Sequence, residues 1–387
     1  MLCLALLASG CGPGGFAGPA ALESRRKSSL EHFGTVCSLL LFDDFSAPGA
    51  VDRFESTWAE VDALLGSLDA AVSMDIPGSD VARFNGAKEG ESIAISPLTA
   101  GLITKAKAMY DLTGGAFNPA VANLVDLWGF SPRFRKTGGA AMPYDRPANP
   151  DGSLPLPERR YVEAFRRLAD FSSVELGQDR AGNFHLTKQA RDIVVDGRTY
   201  SLRIDLGGIA KGYGADKALE IVRAKGYSYG YINLGMSSLQ LLKRNVPDKG
   251  AKGRNAWAVS MPDPRDRSEN YLDIFGRDTG VSTSGTDLHY TVAGREYSHI
   301  IDPATGEPTA GDIASVTILG PDAGYDDALT TALCVMGKAK ARAFLDTRMK
   351  GYRVVLLSHD GPSLDLVTNM AEKDYALAKR EPSASNP

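Results

Sequence analysis

Histidine and cysteine are scarce in this sequence, with five and four residues among 387. No two cysteines stand at C-x-x-C spacing, so a cysteine-built zinc site is unsupported. Positive charge is not in excess: 43 Lys and Arg face 47 Asp and Glu, for a net charge of −4. That balance leaves no basic surface of the kind that holds a nucleic acid, and argues against an RNA or DNA partner. Apolar runs are short, and none reaches the ~18 residues a membrane span requires. Internal repeats are absent. What is present is a 43% hydrophobic fraction in a chain long enough to bury a substantial core, as one large domain or two closely packed halves.

Hydrophobic spacing divides the chain. Residues 36–42 read as a strand, and residues 51–68 as a helix whose stripe is Phe54, Trp58, Val61, Leu64, Leu65 and Leu68. Ser96-Pro97 is an N-cap followed by proline at the first helical position. Residues 131–157 are rich in glycine and proline and read as a surface excursion. A helix is expected near residues 161–168, and strands near 173–176, 184–187, 229–234, 256–261 and 315–319. Strands mixed with helices in this order indicate an α+β fold with mixed sheets. Residues 12–30 read as a flexible tether, 31–375 as the folded body and 376–387 as a disordered tail. Cys37 and Cys334 sit in apolar runs; a disulfide between them is conceivable, but two buried thiols are favoured.

Three clusters carry chemistry. The first is Asp205-Leu206-Gly207-Gly208-Ile209-Ala210-Lys211-Gly212-Tyr213, an apolar strand ending in a carboxylate and running into a glycine-opened helix. Glycine lets the backbone approach a ligand, and the free N–H groups of a first helical turn favour an anion such as phosphate. Lys211 would add positive charge there, or simply lie solvated. No Ser or Thr follows it and the Walker spacing is missing, which excludes a P-loop ATPase. Residues 10–15 match G-x-G-x-x-G literally, but neither a preceding strand nor a following helix supports a dinucleotide site.

The second cluster is Asp326-Asp327-Ala328-Leu329-Thr330-Thr331. On a helix, Asp327 and Thr331 share one face, and oxygen donors of this kind suit magnesium better than zinc. The alternative is a capping aspartate and a core threonine. The third runs from Ser284-Gly285-Thr286 to Tyr297-Ser298-His299-Ile300-Ile301-Asp302-Pro303. His299, in an alternating run, has the chemistry of a general base near neutrality, or is a structural strand residue. No G-x-S-x-G elbow surrounds Ser284, which disfavours a serine hydrolase.

Taken in chain order, the clusters resemble the signature of the FAD:protein FMN transferase (ApbE) family, and the likeness runs from about residue 33 to about residue 367. The resemblance implies magnesium held by Asp327, Thr331 and the backbone carbonyl of Gly208. It implies catalytic roles for His299, Lys211 and Thr286. It also implies flavin-nucleotide contacts from Phe33, Asp75, Ala116, Phe117, Asn118, Asp205, Lys211 and Ile301, although Asp205 could equally cap the adjoining helix. Phe33 replaces the family's methionine, Asp75 its aromatic residue and Asn118 its aspartate. Asn233-Leu234-Gly235-Met236-Ser237 lacks the family's second glycine and aspartate.

The implied activity is magnesium-dependent transfer of FMN from FAD to a threonine hydroxyl of an exported flavoprotein acceptor, releasing AMP. An FAD pyrophosphatase and a non-catalytic flavin-binding lipoprotein are the alternatives. Met1-Leu2-Cys3-Leu4-Ala5-Leu6-Leu7-Ala8-Ser9-Gly10-Cys11 resembles the end of a bacterial lipoprotein signal peptide, although no Lys or Arg precedes Arg25. That likeness implies lipidation at Cys11 and a place on the periplasmic face of the inner membrane.

Overall fold

The computed structural model describes residues 22–131, 154–243, 256–286, 289–309, 311–361 and 363–378. Cys11 and most of the 131–157 excursion lie outside them. The architecture is α+β, built on an eight-stranded sheet whose spatial order follows the chain. Its strands are β1 (Glu23–His32), β2 (Thr35–Asp43), β3 (Gly230–Leu234), β4 (Ser238–Leu242), β5 (Thr279–Gly285), β6 (Ile313–Gly320), β7 (Arg353–Asp360) and β8 (Ser363–Thr368). Every neighbouring pair is antiparallel. The expected mixture of strand directions comes down, among the described residues, to one isolated parallel bridge between Leu154 and Val292.

Both faces of the sheet are covered, which explains why β6 and β7 are largely apolar runs. Along β6 and β7, Val316, Ile318, Val354 and Leu356 enter the core under the helices. Their neighbours Ala314, Leu319, Val355 and Leu357 enter a second core on the opposite face, with Trp257, Val259 and Ile274. Alternate side chains point to opposite faces, so a strand buried on both must be apolar throughout. The second core is closed by a three-stranded sheet of Trp257–Asp263, Asp266–Gly276 and Tyr375–Leu377.

Among the described residues, the longest helices are α1 (Ala50–Val72), α2 (Pro97–Leu112), α3 (Gly207–Ala224) and α4 (Ala323–Arg348). Ser96 caps α2 as expected, its hydroxyl accepting the Thr99 N–H at 3.1 Å. Gly337 breaks the helical path of α4 with φ +71°.

Two boundaries differ from expectation. The expected tether of residues 12–30 overlaps β1, which pairs with β2 between Glu23 and His32. An edge strand is held by main-chain hydrogen bonds, so its polar side chains gave no apolar pattern; Arg25 lies over Phe45 and Lys27 pairs with Glu55. The tail expected from residue 376 begins inside a strand, since Ala376 pairs with Asp273 and Leu377 with Leu272.

Candidate active site

Where α3 begins, three distant segments meet. Asp205 Oδ1 accepts the Gly207 N–H at 2.7 Å, satisfying one donor at the opening of α3. The Asp205 N–H donates to the Pro119 carbonyl at 2.8 Å, tying this turn to the 113–119 loop. In that loop the Thr113 hydroxyl accepts the Phe117 N–H at 3.0 Å, and Phe117 is buried. A Cβ on Gly208 would stand 3.5 Å from the Phe117 ring and 3.6 Å from Thr331 Oγ1. The glycine therefore touches both the loop and α4.

One turn on, the Gly212 N–H donates to Asp327 Oδ2 at 3.1 Å. The close approach of the two helices requires glycine, because a methyl there would overlap the Ala323 carbonyl and stand 2.9 Å from Asp327 Cβ. On α4 the Asp327 carbonyl accepts the Thr330 hydroxyl at 2.7 Å, and Thr331 Oγ1 lies 3.4 Å from the same carbonyl. Ser284 Oγ, from β5, is 2.8 Å from Thr330 Oγ1 and 3.4 Å from Thr331 Oγ1. A carboxylate, three hydroxyls and the first turn of α3 thus converge.

Charge organises the same place. Burial raises the Asp327 carboxyl above its usual range, opposed by the Lys211 charge, the Gly212 N–H and the Ser238 hydroxyl. Burial also raises Asp205, opposed by the Gly207 N–H and by Lys211, while the charge of Asp75 pushes it further up. Lys211 reaches back over its own helix, with Nζ 3.4 Å from the Gly207 carbonyl. Buried carboxylates around one lysine favour an arriving cation. Among the described residues, no group of three His, Cys, Asp or Glu side chains could hold a metal. The expected set of Asp327, Thr331 and the Gly208 carbonyl offers oxygen donors only, a chemistry that would suit a small hard cation such as magnesium.

The turn between β1 and β2 and the turn at Gly235 lie beside Lys211. Phe33 and Gly34 form the turn between β1 and β2, with φ +53° and +62°, and Asp69 Oδ2 accepts the Phe33 N–H at 3.0 Å. Thr35 and Lys211 flank Gly235: a Cβ on that glycine would stand 2.9 Å from Thr35 Cγ2 and 3.4 Å from Lys211 Cδ. Asp75 is exposed, and Ala116 packs at the edge of the core that holds Phe117.

Four expected site residues are placed differently. Thr286 is buried and its hydroxyl donates to the Ile313 carbonyl at 2.7 Å, so it braces β5 against β6; Ser284 is the residue that faces α4. Asn118 turns inward: its Nδ2 donates to the Ala169 carbonyl at 2.8 Å and its Oδ1 accepts the Ala120 N–H at 2.9 Å. That is a capping role, and it explains why an amide serves where a carboxylate has no donor to offer. Ile301 packs with Leu124, Trp128 and Phe165 in a separate core. Its neighbour Ile300 joins the core of Phe117, Ile209 and Leu329. His299 lies at a half-buried bend after the strand Arg295–Ser298, not within an alternating strand.

Sequence reasoning passed over Asp216, whose carboxylate accepts N–H groups from α4. An acid one turn beyond Gly212 on an otherwise apolar helix face was the available signal. Burial and the neighbouring Asp322 carboxylate push Asp216 up to about 7. Asp326, fully buried, is raised well above the usual range by burial and by the charges of Asp216 and Asp322.

Residues 33–356 match the ApbE family model. The chain belongs to the ApbE family. It is 30% identical over 338 residues to the FAD:protein FMN transferase of Treponema pallidum, covering 87% of this chain and 85% of that protein. It is 28% identical over 318 residues to the one from Vibrio cholerae, covering 81% and 83%. Among solved structures, the flavin transferase ApbE from Vibrio cholerae superposes with TM-score 0.70 at 25% identity, covering 90% of this chain and 97% of that one. The apo flavinyl transferase ApbE of Pseudomonas stutzeri, at 24% identity, shares the fold with TM-score 0.69. The ApbE match spans all three chemical clusters, from the Phe33 turn through α4 and into β7.

Proposed function

We propose that this ApbE-family chain is an FAD:protein FMN transferase that moves FMN from FAD to a threonine hydroxyl of an exported flavoprotein, releasing AMP. The observation that carries this reading is the crossing of α3 and α4, which sets Gly208 beside Thr331 and Gly212 beside Asp327, with the Lys211 charge acting on Asp327. Oxygen donors and a lysine at a helix N-terminus are suited to a pyrophosphate.

Asp327, Thr331 and the Gly208 carbonyl would hold magnesium. Bound there, magnesium neutralises phosphate charge and polarises a phosphoryl oxygen. Lys211 neutralises charge that builds as the bridging phosphate bond breaks. His299 accepts the proton of the threonine hydroxyl as its oxygen bonds to the FMN phosphorus; the bridging oxygen leaves with AMP. Phe33, Ala116 and Phe117 line the flavin side, and Asp205 with Asp75 bounds the nucleotide. Cys11 would carry a lipid that holds the protein on the periplasmic face of the bacterial inner membrane.

The test mixes purified protein, FAD, magnesium and a threonine-bearing acceptor domain, and weighs the acceptor by mass spectrometry. A gain equal to one FMN with matching AMP supports transfer. Free FMN and AMP with an unchanged acceptor would make the chain a pyrophosphatase, and intact FAD would make it a binding protein. Incorporation of labelled fatty acid that Cys11→Ser abolishes would support the anchor; incorporation unchanged by that substitution would refute it.

A further inference from the structure

The N-terminus of α4 is capped largely by another helix. Three opening N–H groups of α4, those of Ala323, Gly324 and Tyr325, end on carboxylates. Asp322, the N-cap residue, takes only Tyr325, at 2.9 Å. The other two go to Asp216 of α3: Ala323 N–H to Oδ1 at 2.9 Å and Gly324 N–H to Oδ2 at 3.0 Å. Gln240 Nε2 holds Oδ1 from the sheet at 2.6 Å, and Lys105 of α2, paired with Asp322, sits 4.0 Å from Oδ2. Both oxygens of Asp216 are thereby fixed.

Asp216 lies one turn beyond Gly212, whose N–H holds Asp327 from the same side of α3. The two helices are therefore clasped at two points, with Gly212 donating into α4 and Asp216 accepting from it. Core packing of Leu329 and Leu333 and the β5 hydroxyls already hold α4 against the sheet. The two contacts with α3, a turn apart, add to that hold and set where Asp327 and Thr331 stand relative to α3. A self-capping serine at the N-cap would satisfy α4 without tying it to α3.

We propose that Asp216 is a positioning residue: by accepting the Ala323 and Gly324 N–H groups it locks α4 against α3 and orients Asp327 for cation binding. The inference rests on the reading of Asp327 as a ligand. Its test is a titration with manganese ion alone, following loss of the free-ion paramagnetic resonance signal, on the full chain. Asp216→Ala is expected to weaken manganese binding by about tenfold or more, the usual effect of losing a group that orients a ligand. Asp216→Asn keeps one acceptor oxygen but sets an amide against a backbone N–H, and should fall between. Thr99→Val, which removes a buried hydrogen bond to Asp80 elsewhere, should leave the affinity unchanged.

In the transfer assay, Asp216→Asn should raise the magnesium needed for half-maximal rate while the rate at saturating metal stays near that of the native chain. Native affinity in Asp216→Asn and Asp216→Ala, with binding abolished in Asp327→Ala, would overturn the clasp alone. Equal binding by the native chain and Asp327→Ala would overturn the ligand reading and the clasp with it.

Discussion

Asn85 and Ile204 are joined by two reciprocal hydrogen bonds: Asn85 Nδ2 donates to the Ile204 carbonyl at 2.9 Å, and the Ile204 N–H donates to Asn85 Oδ1 at 2.8 Å. A side-chain amide stands in for a neighbouring strand, fixing the segment that delivers Asp205 to the start of α3. Asn85→Asp keeps the acceptor but loses the donor and places a carboxylate oxygen against the Ile204 carbonyl. Asn85→Ala leaves both backbone groups unpaired. Each should cost about 1–3 kcal/mol in urea unfolding, with Asn85→Asp the worse at neutral pH. Weaker FAD binding should accompany the loss.

Gly212→Ala inserts a methyl where the Ala323 carbonyl already stands. Forcing α3 and α4 apart should cost about 1–3 kcal/mol by thermal or urea unfolding. It should also remove most transfer activity, because the donor to Asp327 moves with the helix. Native activity in this variant would contradict the close approach described for the two helices.

Thr331→Val removes a hydroxyl while keeping the shape of the side chain. Activity at low magnesium should fall by about 10–100-fold, the range for a weakened metal shell. Thr331→Ser should retain most of it. Rates measured across a magnesium series separate this outcome from misfolding, since excess metal recovers the first defect and not the second.

Thr286→Val tests the bracing role given to that residue. Losing a buried hydrogen bond to the Ile313 carbonyl should lower stability by about 1–3 kcal/mol. The turnover of the remaining folded protein should stay close to native. A large fall in turnover without a fall in stability would return Thr286 to the reacting groups.

Lys188 is fully buried, with Nζ donating to the Ala87 carbonyl at 2.7 Å and lying 5.1 Å over the Phe84 ring. Burial lowers it from 10.5 to about 8. Between those values the unfolded chain binds more protons than the folded one, so this lysine makes stability rise with pH from about 8 to about 10.5. Below that window its burial is a constant penalty. Urea unfolding at pH 7.5 and 10 should show the native chain gaining on Lys188→Met, by up to about 3 kcal/mol.

Legibility from the sequence followed locality. The Ser96-Pro97 start of α2, the stripe of α1 and the glycine opening of α3 are set within a few residues, and each was visible as spacing. Convergence of the three chemical clusters was implied by resemblance; the structure brings Gly208 beside Thr331, and from the third cluster brings Ser284 to Thr330 and Thr331. The β1 strand was hidden because an edge strand needs no apolar code. The placement of Asn118, Thr286 and Ile301 was hidden for another reason. Whether a polar or apolar side chain faces a ligand or a neighbouring carbonyl depends on partners such as Ala169 and Ile313, which no nearby letters announce. The cap by Asp216 belongs to the same class.

The two thiols of the folded body have a practical consequence. Cys37 and Cys334 are buried thiols in separate cores. Burial pushes the Cys37 thiol up to about 12, with the charges of Asp69 and Asp62 adding to it. At neutral pH it holds almost no thiolate, the form that oxidants and alkylating reagents attack. The body can therefore pass between reducing and oxidising surroundings without a bridge to form or break, and refolding from urea should need neither reductant nor isomerase.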